Sequence, residues 1–188
     1  MVNNIRTALL EPQPRNGSRS SKSRGRQTAV LGVSAAAVAM LAIPATARSA
    51  QLVWNTSASA PAGVYSVERS GWAVGDRVVV LPSPELAEDL ENRGILPRGK
   101  LLIKTLAASA GETVCRHQEV VTVNGRAVAH AKLKGSDGVA LPFWQGCVTL
   151  SDRHVFLLGE GADSYDGRYF GATSTGDIVG RAAILMLF

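Results

Sequence analysis

Asn55-Thr56-Ser57-Ala58-Ser59-Ala60-Pro61-Ala62-Gly63-Val64-Tyr65 follows the one long apolar run of the chain and opens its β-type patterning. Two serines separated by one residue precede a proline, which fixes φ, and a glycine, which tolerates unusual φ. Such a segment can hold a hydroxyl at a fixed angle above a sheet edge. The same composition also suits a Ser/Ala/Pro linker. What separates the two readings lies downstream, in a lysine set within an apolar strand and a loop rich in Asp, Ser and Arg.

The 188 residues suffice for one core-bearing domain and a tail. Aromatics make up only 5%, so the core must be built from Val, Leu, Ile and Ala. Residues 1–27 hold six basic side chains and one acid, which accounts for the whole net charge of +5. The remainder has no excess charge with which to attract phosphates, and this argues against a nucleic-acid partner. Cys115 and Cys147 are an even pair outside any C-x-x-C spacing. They fit one disulfide in an oxidising compartment or two buried thiols in a reducing one, and a zinc site fits neither case.

Residues 1–27 are polar and basic, and disorder is expected there. Residues 28–47, TAVLGVSAAAVAMLAIPATA, carry no charge. As a helix, that length crosses a bilayer core of about 30 Å. One reading is a membrane anchor with the basic tail inside. A second is a cleaved export signal with Ala45-Thr46-Ala47 as the small-x-small site. A third is a buried core helix, which the charge step across the run disfavours. The first two place residues 48–188 across the membrane, and the length of the polar tail favours the anchor.

Beyond the Ser-Ser segment the pattern is β. Residues 63–68 read as a strand, and Gly75-Asp76-Arg77 turns into the buried strand Val78-Val79-Val80-Leu81. Ser83-Pro84-Glu85 predicts a helix start that runs to about Asn92 and stops at Gly94. Strands are expected over 101–106, 120–123 and 126–129, the last two joined by the hairpin signal Asn124-Gly125. Residues 131–146 read as irregular. Strands resume at 147–150 and 154–158, a Gly/Asp/Ser loop covers 159–176, and residues 177–187 close the chain. The fold class is mainly β, with folded sheets or a partly closed barrel and one N-terminal transmembrane helix.

Lys104 sits among Leu101, Leu102, Ile103, Thr105 and Leu106. On a strand it shares a face with Leu102 and Leu106. Burial disfavours an ammonium, and a neutral amine can take a proton from a serine hydroxyl. The competing reading is an edge-strand lysine whose head reaches water. The third stretch is Gly159-Glu160-Gly161-Ala162-Asp163-Ser164-Tyr165-Asp166-Gly167-Arg168-Tyr169-Phe170-Gly171. As a solvated turn it pairs Asp166 with Arg168 locally. As a functional loop it sets Ser164 on the amine of Lys104, Asp166 and Arg168 as a buried orienting pair, and Tyr169 and Phe170 beneath. His117, His130 and His154 fall in no motif, which argues against a Ser-His-Asp triad.

Taken together, S-x-S-x-P-x-G-x-Y, G-D-x-V-V-V, an apolar I-K and D-S-x-D-x-R-Y-F-G resemble type I signal peptidases (S26). The conjugative-transfer, TraF-like branch is the nearest, with Cys115 and Trp144-Gln145-Gly146-Cys147 also like that branch. The resemblance covers residues 28–188. It implies Ser59 as nucleophile, Lys104 as general base, and Ser57 with the backbone N–H of Ser59 at the oxyanion. It further implies Ser164 orienting the lysine, Asp166 and Arg168 in support, and no cofactor or metal. A Cys115–Cys147 bond would close 32 positions and contribute roughly 3–4 kcal/mol. Departures are Ala60 where methionine is common, Gly167 where serine is common and Thr105 where arginine is frequent. They bear on site shape and substrate choice.

The resulting expectation is a cytoplasmic tail over 1–27, an inner-membrane anchor over 28–47 and a periplasmic Ser-Lys peptidase domain over 48–188. Its partners are then the membrane lipid, a preprotein or pilin substrate cut after small residues, and type IV secretion or conjugation components. Cyclisation of a pilin is an added outcome of the conjugative branch. Other readings are a general signal peptidase, a non-catalytic periplasmic β-domain, and a self-cleaving repressor. The last needs an upstream DNA-binding domain that 27 residues cannot supply.

Overall fold

The computed structural model describes residues 51–69 and 71–188. The expected tail and the uncharged run at 28–47 lie outside these residues. No helix among the described residues is long and apolar enough to cross a membrane.

The strands are β1 (Gln51–Asn55), β2 (Gly63–Glu68), β3 (Arg77–Val80), β4 (Leu102–Ala108), β5 (Thr113–His117), β6 (Val120–Val123), β7 (Arg126–His130), β8 (Gly146–Thr149), β9 (His154–Leu158), β10 (Thr173–Ser174) and β11 (Ile178–Leu187). Among the described residues, two α-helices, α1 (Pro84–Asn92) and the single-turn α2 (Gly167–Phe170), and a 3-10 turn at Thr175–Asp177 complete the set. Seven strands form one sheet in the order β1-β2-β11-β3-β4-β9-β10, and four form a second in the order β7-β6-β5-β8. Every pairing is antiparallel. Both sheets keep open edges, so the expectation of folded sheets short of a closed barrel holds.

The first sheet is buried on both faces at its centre. Val79 and Ile103 join Tyr65, Val67 and Ala182 on one side. Val78, Val80, Leu102 and Leu106 meet Leu90, Leu157, Tyr165 and Tyr169 on the other. This two-sided burial explains why β3 is an unbroken valine run rather than an alternating one. Phe156, Leu158 and Ala108 continue into a cluster with Val114, Val121 and Val123, which ties the second sheet to the first.

Local signals act as expected at α1, where Ser83 Oγ accepts from the Leu86 N–H at 3.3 Å and Pro84 opens the helix. Asn124 and Gly125 both take positive φ, which a two-residue turn matched to strand twist requires. Three strands lie outside those that the sequence predicts: β1, β5 and the short β10. The segment 159–176 is also more structured than a loop, since it contains α2 and β10. Residues 131–145 are irregular apart from one bridge between Lys134 and Ala140, and β8 begins one residue early, at Gly146.

Cys115 and Cys147 face each other across β5 and β8, with Cα atoms 4.0 Å apart, and are joined as a disulfide. The bond pins two neighbouring strands of the second sheet and closes off the irregular segment between them. Leu52, Trp54 and the final residues Ile184, Leu185, Met186, Leu187 and Phe188 are exposed. Trp54 and Phe188 touch, with ring centroids 5.1 Å apart, so the apolar surface is continuous around that edge.

Candidate active site

Three segments far apart in sequence converge on one groove of about 670 Å³. The turn after β1 supplies Ser57 and Ser59, β4 supplies Ile103 and Lys104, and the segment after β9 supplies Gly161, Asp163 and Ser164. None of His117, His130 and His154 lines it.

Lys104 lies on an interior strand, between β3 and β9, with Val78 as its cross-strand partner. It is 2% exposed, so the edge-strand reading does not apply. Its Nζ donates to Ser164 Oγ at 2.6 Å. Burial pushes the amine down to about 8, the Asp166 carboxylate opposes that shift, and the Arg168 guanidinium adds to it. An amine in that range is neutral in a useful fraction near neutral pH and can accept a proton.

Ser59 is half-buried and Ser57 exposed. Their hydroxyl oxygens are 2.8 Å apart, and the Ile103 carbonyl lies 3.3 Å from Ser59 Oγ as a second acceptor within reach of its hydrogen. The amine's hydrogen bond goes to Ser164, so in this conformation Ser59 faces Ser57 and the β4 backbone. A turn about the Ser59 Cα–Cβ bond re-aims the hydroxyl within the groove, and such contacts often tighten only on substrate binding. The carbonyl of Ser59 accepts from the Glu160 N–H at 3.0 Å, which links the serine turn to the segment after β9.

Asp166 and Arg168 are buried behind the groove and paired through two contacts, Nη2 to Oδ2 at 2.7 Å and Nε to Oδ1 at 2.9 Å. Asp166 also caps α2 by accepting from the Arg168 N–H, and accepts from the Gly159 N–H at 2.7 Å. Arg168 in turn donates to the carbonyls of Gly161 and Ala162 at 2.9 and 2.8 Å. The pair therefore shapes the whole bend that presents Ser164. Tyr169 lies beneath, stacked on Tyr165.

The family model described as signal peptidase, peptidase S26, matches residues 25–187. The chain belongs to that family. The Conjugal transfer protein TraF of Agrobacterium tumefaciens (strain 15955) is 33% identical over 172 residues, covering 85% of this chain and 96% of the relative. The Plasmid transfer protein TraF of Escherichia coli is 30% identical over 166 residues, covering 82% of this chain and 92% of the relative. A crystal structure of a signal peptidase I from Enterococcus faecalis V583 aligns at 20% identity and a TM-score of 0.37, covering 63% of this chain and 100% of that one. Membership in this peptidase family implies a serine endopeptidase and a protein substrate.

Two further residues shape the groove beyond those to which the sequence assigns a role. A Cβ at Gly159 would lie 1.9 Å from Ser164 Oγ and 3.2 Å from Lys104 Nζ, so only glycine leaves room for the amine and its partner. Its sequence signal is faint, the first glycine after a buried strand. Asn55, at the end of β1, is buried and bonded to the serine turn through its side chain. An Asn at a strand end two residues before a Ser is an Asx-turn signal, which the sequence does carry.

Proposed function

We propose that the chain is a membrane-anchored serine endopeptidase of the Ser-Lys type. Ser59 is the nucleophile and Lys104 the general base. Neutral Lys104 takes the hydroxyl proton as Ser59 Oγ bonds to the scissile carbonyl carbon. The resulting oxyanion is met by the Ser57 hydroxyl and the Ser59 N–H. Collapse breaks the C–N bond, the Lys104 ammonium returns the proton to the leaving amine, and a water activated by the same amine hydrolyses the ester. Ser164 holds the amine in place, and Asp166 with Arg168 holds Ser164. The observation that carries the reading is the buried Lys104 amine, with its lowered proton affinity, opening onto the groove that Ser59 lines.

Residues 28–47 form the anchor, with the tail at 1–27 in the cytoplasm and the catalytic domain in the periplasm against the inner membrane. The uncharged run and its basic flank support this topology. So does the exposed apolar edge of β1 and β11. The substrate is an exported preprotein or a conjugative pilin subunit cut after small residues. The relatives named for conjugal and plasmid transfer favour the pilin over a general secretory clientele. An amine in place of water at the ester yields a cyclic pilin.

The test is mass spectrometry of a co-expressed candidate pilin or preprotein with wild-type, Ser59→Ala and Lys104→Ala chains. Cleavage that depends on both residues supports the dyad, and retained processing in either variant rejects it. The mass of the product separates a linear fragment from a ring, which is lighter by one water.

A further inference from the structure

Asn55 is 7% exposed and stands where the chain leaves β1 for the serine turn. Both ends of its carboxamide are engaged. Nδ2 faces the carbonyls of Ser57, Ala60 and Pro61 at 3.1, 2.9 and 3.1 Å. Oδ1 accepts from the Ser57 N–H at 3.1 Å and from the Ser57 hydroxyl at 2.8 Å. Only one amide orientation is tenable, because the flipped form would set its oxygen against three carbonyl oxygens.

That orientation fixes hydrogens further out. An amide oxygen can only accept, and Ser57 has a single hydroxyl hydrogen, so that hydrogen lies toward Asn55. Ser57 Oγ therefore meets Ser59 with a lone pair, and the one Ser59 hydrogen lies across the 2.8 Å contact, with the Ile103 carbonyl at 3.3 Å the more distant acceptor for that same hydrogen. Building on the Ser-Lys reading above, we infer that Asn55 is a positioning residue. It sets the direction of the Ser57–Ser59 hydroxyl pair and clamps the turn on which both ride. At rest each serine hydrogen has an acceptor and neither hydroxyl is free to wander. When Ser59 gives up its hydrogen to Lys104, Ser57 rotates its own hydrogen from Asn55 Oδ1 to the oxyanion. No bond to hydrogen breaks at Ser57; its hydrogen bond changes partner.

The experiment is steady-state cleavage of a peptide spanning a processing site by the full chain, with Asn55→Ala, Ser57→Ala, the double variant and Ser59→Ala, each with a thermal melt. Asn55→Ala is expected to lower kcat by roughly tenfold or more with KM within about twofold. In the double variant the two losses should combine to less than their product, since one residue acts partly through the other. If Asn55→Ala melts below the assay temperature, Asn55→Val, which fills more of the site but offers Ser57 no acceptor, carries the same comparison. An unchanged kcat, or losses that multiply independently, overturns the role of Asn55. Cleavage that persists in Ser59→Ala instead rejects the Ser-Lys reading, so the two failures are distinct.

Discussion

Lys104 Nζ and Ser164 Oγ are 2.6 Å apart, and both residues are buried although sixty positions separate them in sequence. The contact gives the amine one fixed partner in an otherwise apolar layer of Val78, Leu102 and Leu106. A strand lysine thereby becomes a short, aimed group.

Cleavage should follow the deprotonated amine. With Lys104 near 8, kcat/KM is expected to rise about tenfold per pH unit on the acid side and to level off above 8. A pH–rate profile from 6 to 10 measures this directly. A profile flat through that range would remove the lysine from the proton transfer.

Lys104→Met should abolish cleavage and raise stability. The folded chain holds the Lys104 proton less tightly than the unfolded chain, whose ordinary value is 10.5. Between about 8 and 10.5 the unfolded state binds more protons, so wild-type stability climbs with pH in that window. Below 8 the cost of the buried amine is constant and on the order of 3 kcal/mol. The Met variant should recover much of it at pH 7 and lose the climb, as read by urea melts at pH 7 and 10.

Ser164→Ala removes the acceptor that favours the ammonium form of Lys104. The acid limb of the pH profile should move to lower pH, and kcat should fall roughly 10- to 100-fold through the loss of aim, with KM little changed. A fall in kcat with the limb unmoved would separate Ser164 from the titration of the amine.

Asp166→Asn leaves the Arg168 guanidinium buried without its counter-charge. The expected loss is about 3–5 kcal/mol. Calorimetry or chemical melts test it. Arg168→Met in the same background should restore part of the loss, because no orphaned charge then remains.

Cys115→Ser with Cys147→Ser should cost roughly 3–4 kcal/mol of stability. The bond lies within the second sheet and outside the groove. Below the lowered melting point, kcat is therefore expected to stay near that of the parent chain.

Much of this architecture is readable along the chain because the signals are local. Val78, Val79 and Val80 announce a strand buried on both faces, Ser83-Pro84 a helix start and Asn124-Gly125 a turn. The strands that escape the reading do so for physical reasons. In β1, Leu52 and Trp54 are apolar yet exposed, so the segment looks like the exit of the apolar run before it. In β5 a fully buried arginine interrupts the alternation. Arg116 donates to the carbonyls of Gln118 and Arg168 at 2.9 and 2.5 Å and lies over the Phe143 ring, partners that only the folded chain brings to it. The candidate site divides the same way. Lys104, Ser164, Asp166 and Arg168 stand in short stretches with their own chemistry. The hub at Asn55 is local and rests on an Asx-turn signal two residues before a serine, whereas the tight space at Gly159 exists only once Lys104 and Ser164 meet.

The missing carbon at position 159 has a practical use. A methyl there would push aside Ser164 and crowd the amine while leaving the hydroxyl of Ser59 and the mouth of the groove chemically intact. A Gly159→Ala chain is thus a natural bait: it keeps its hold on whatever cargo it recognises, releases nothing, and lets that cargo be fished out and sequenced.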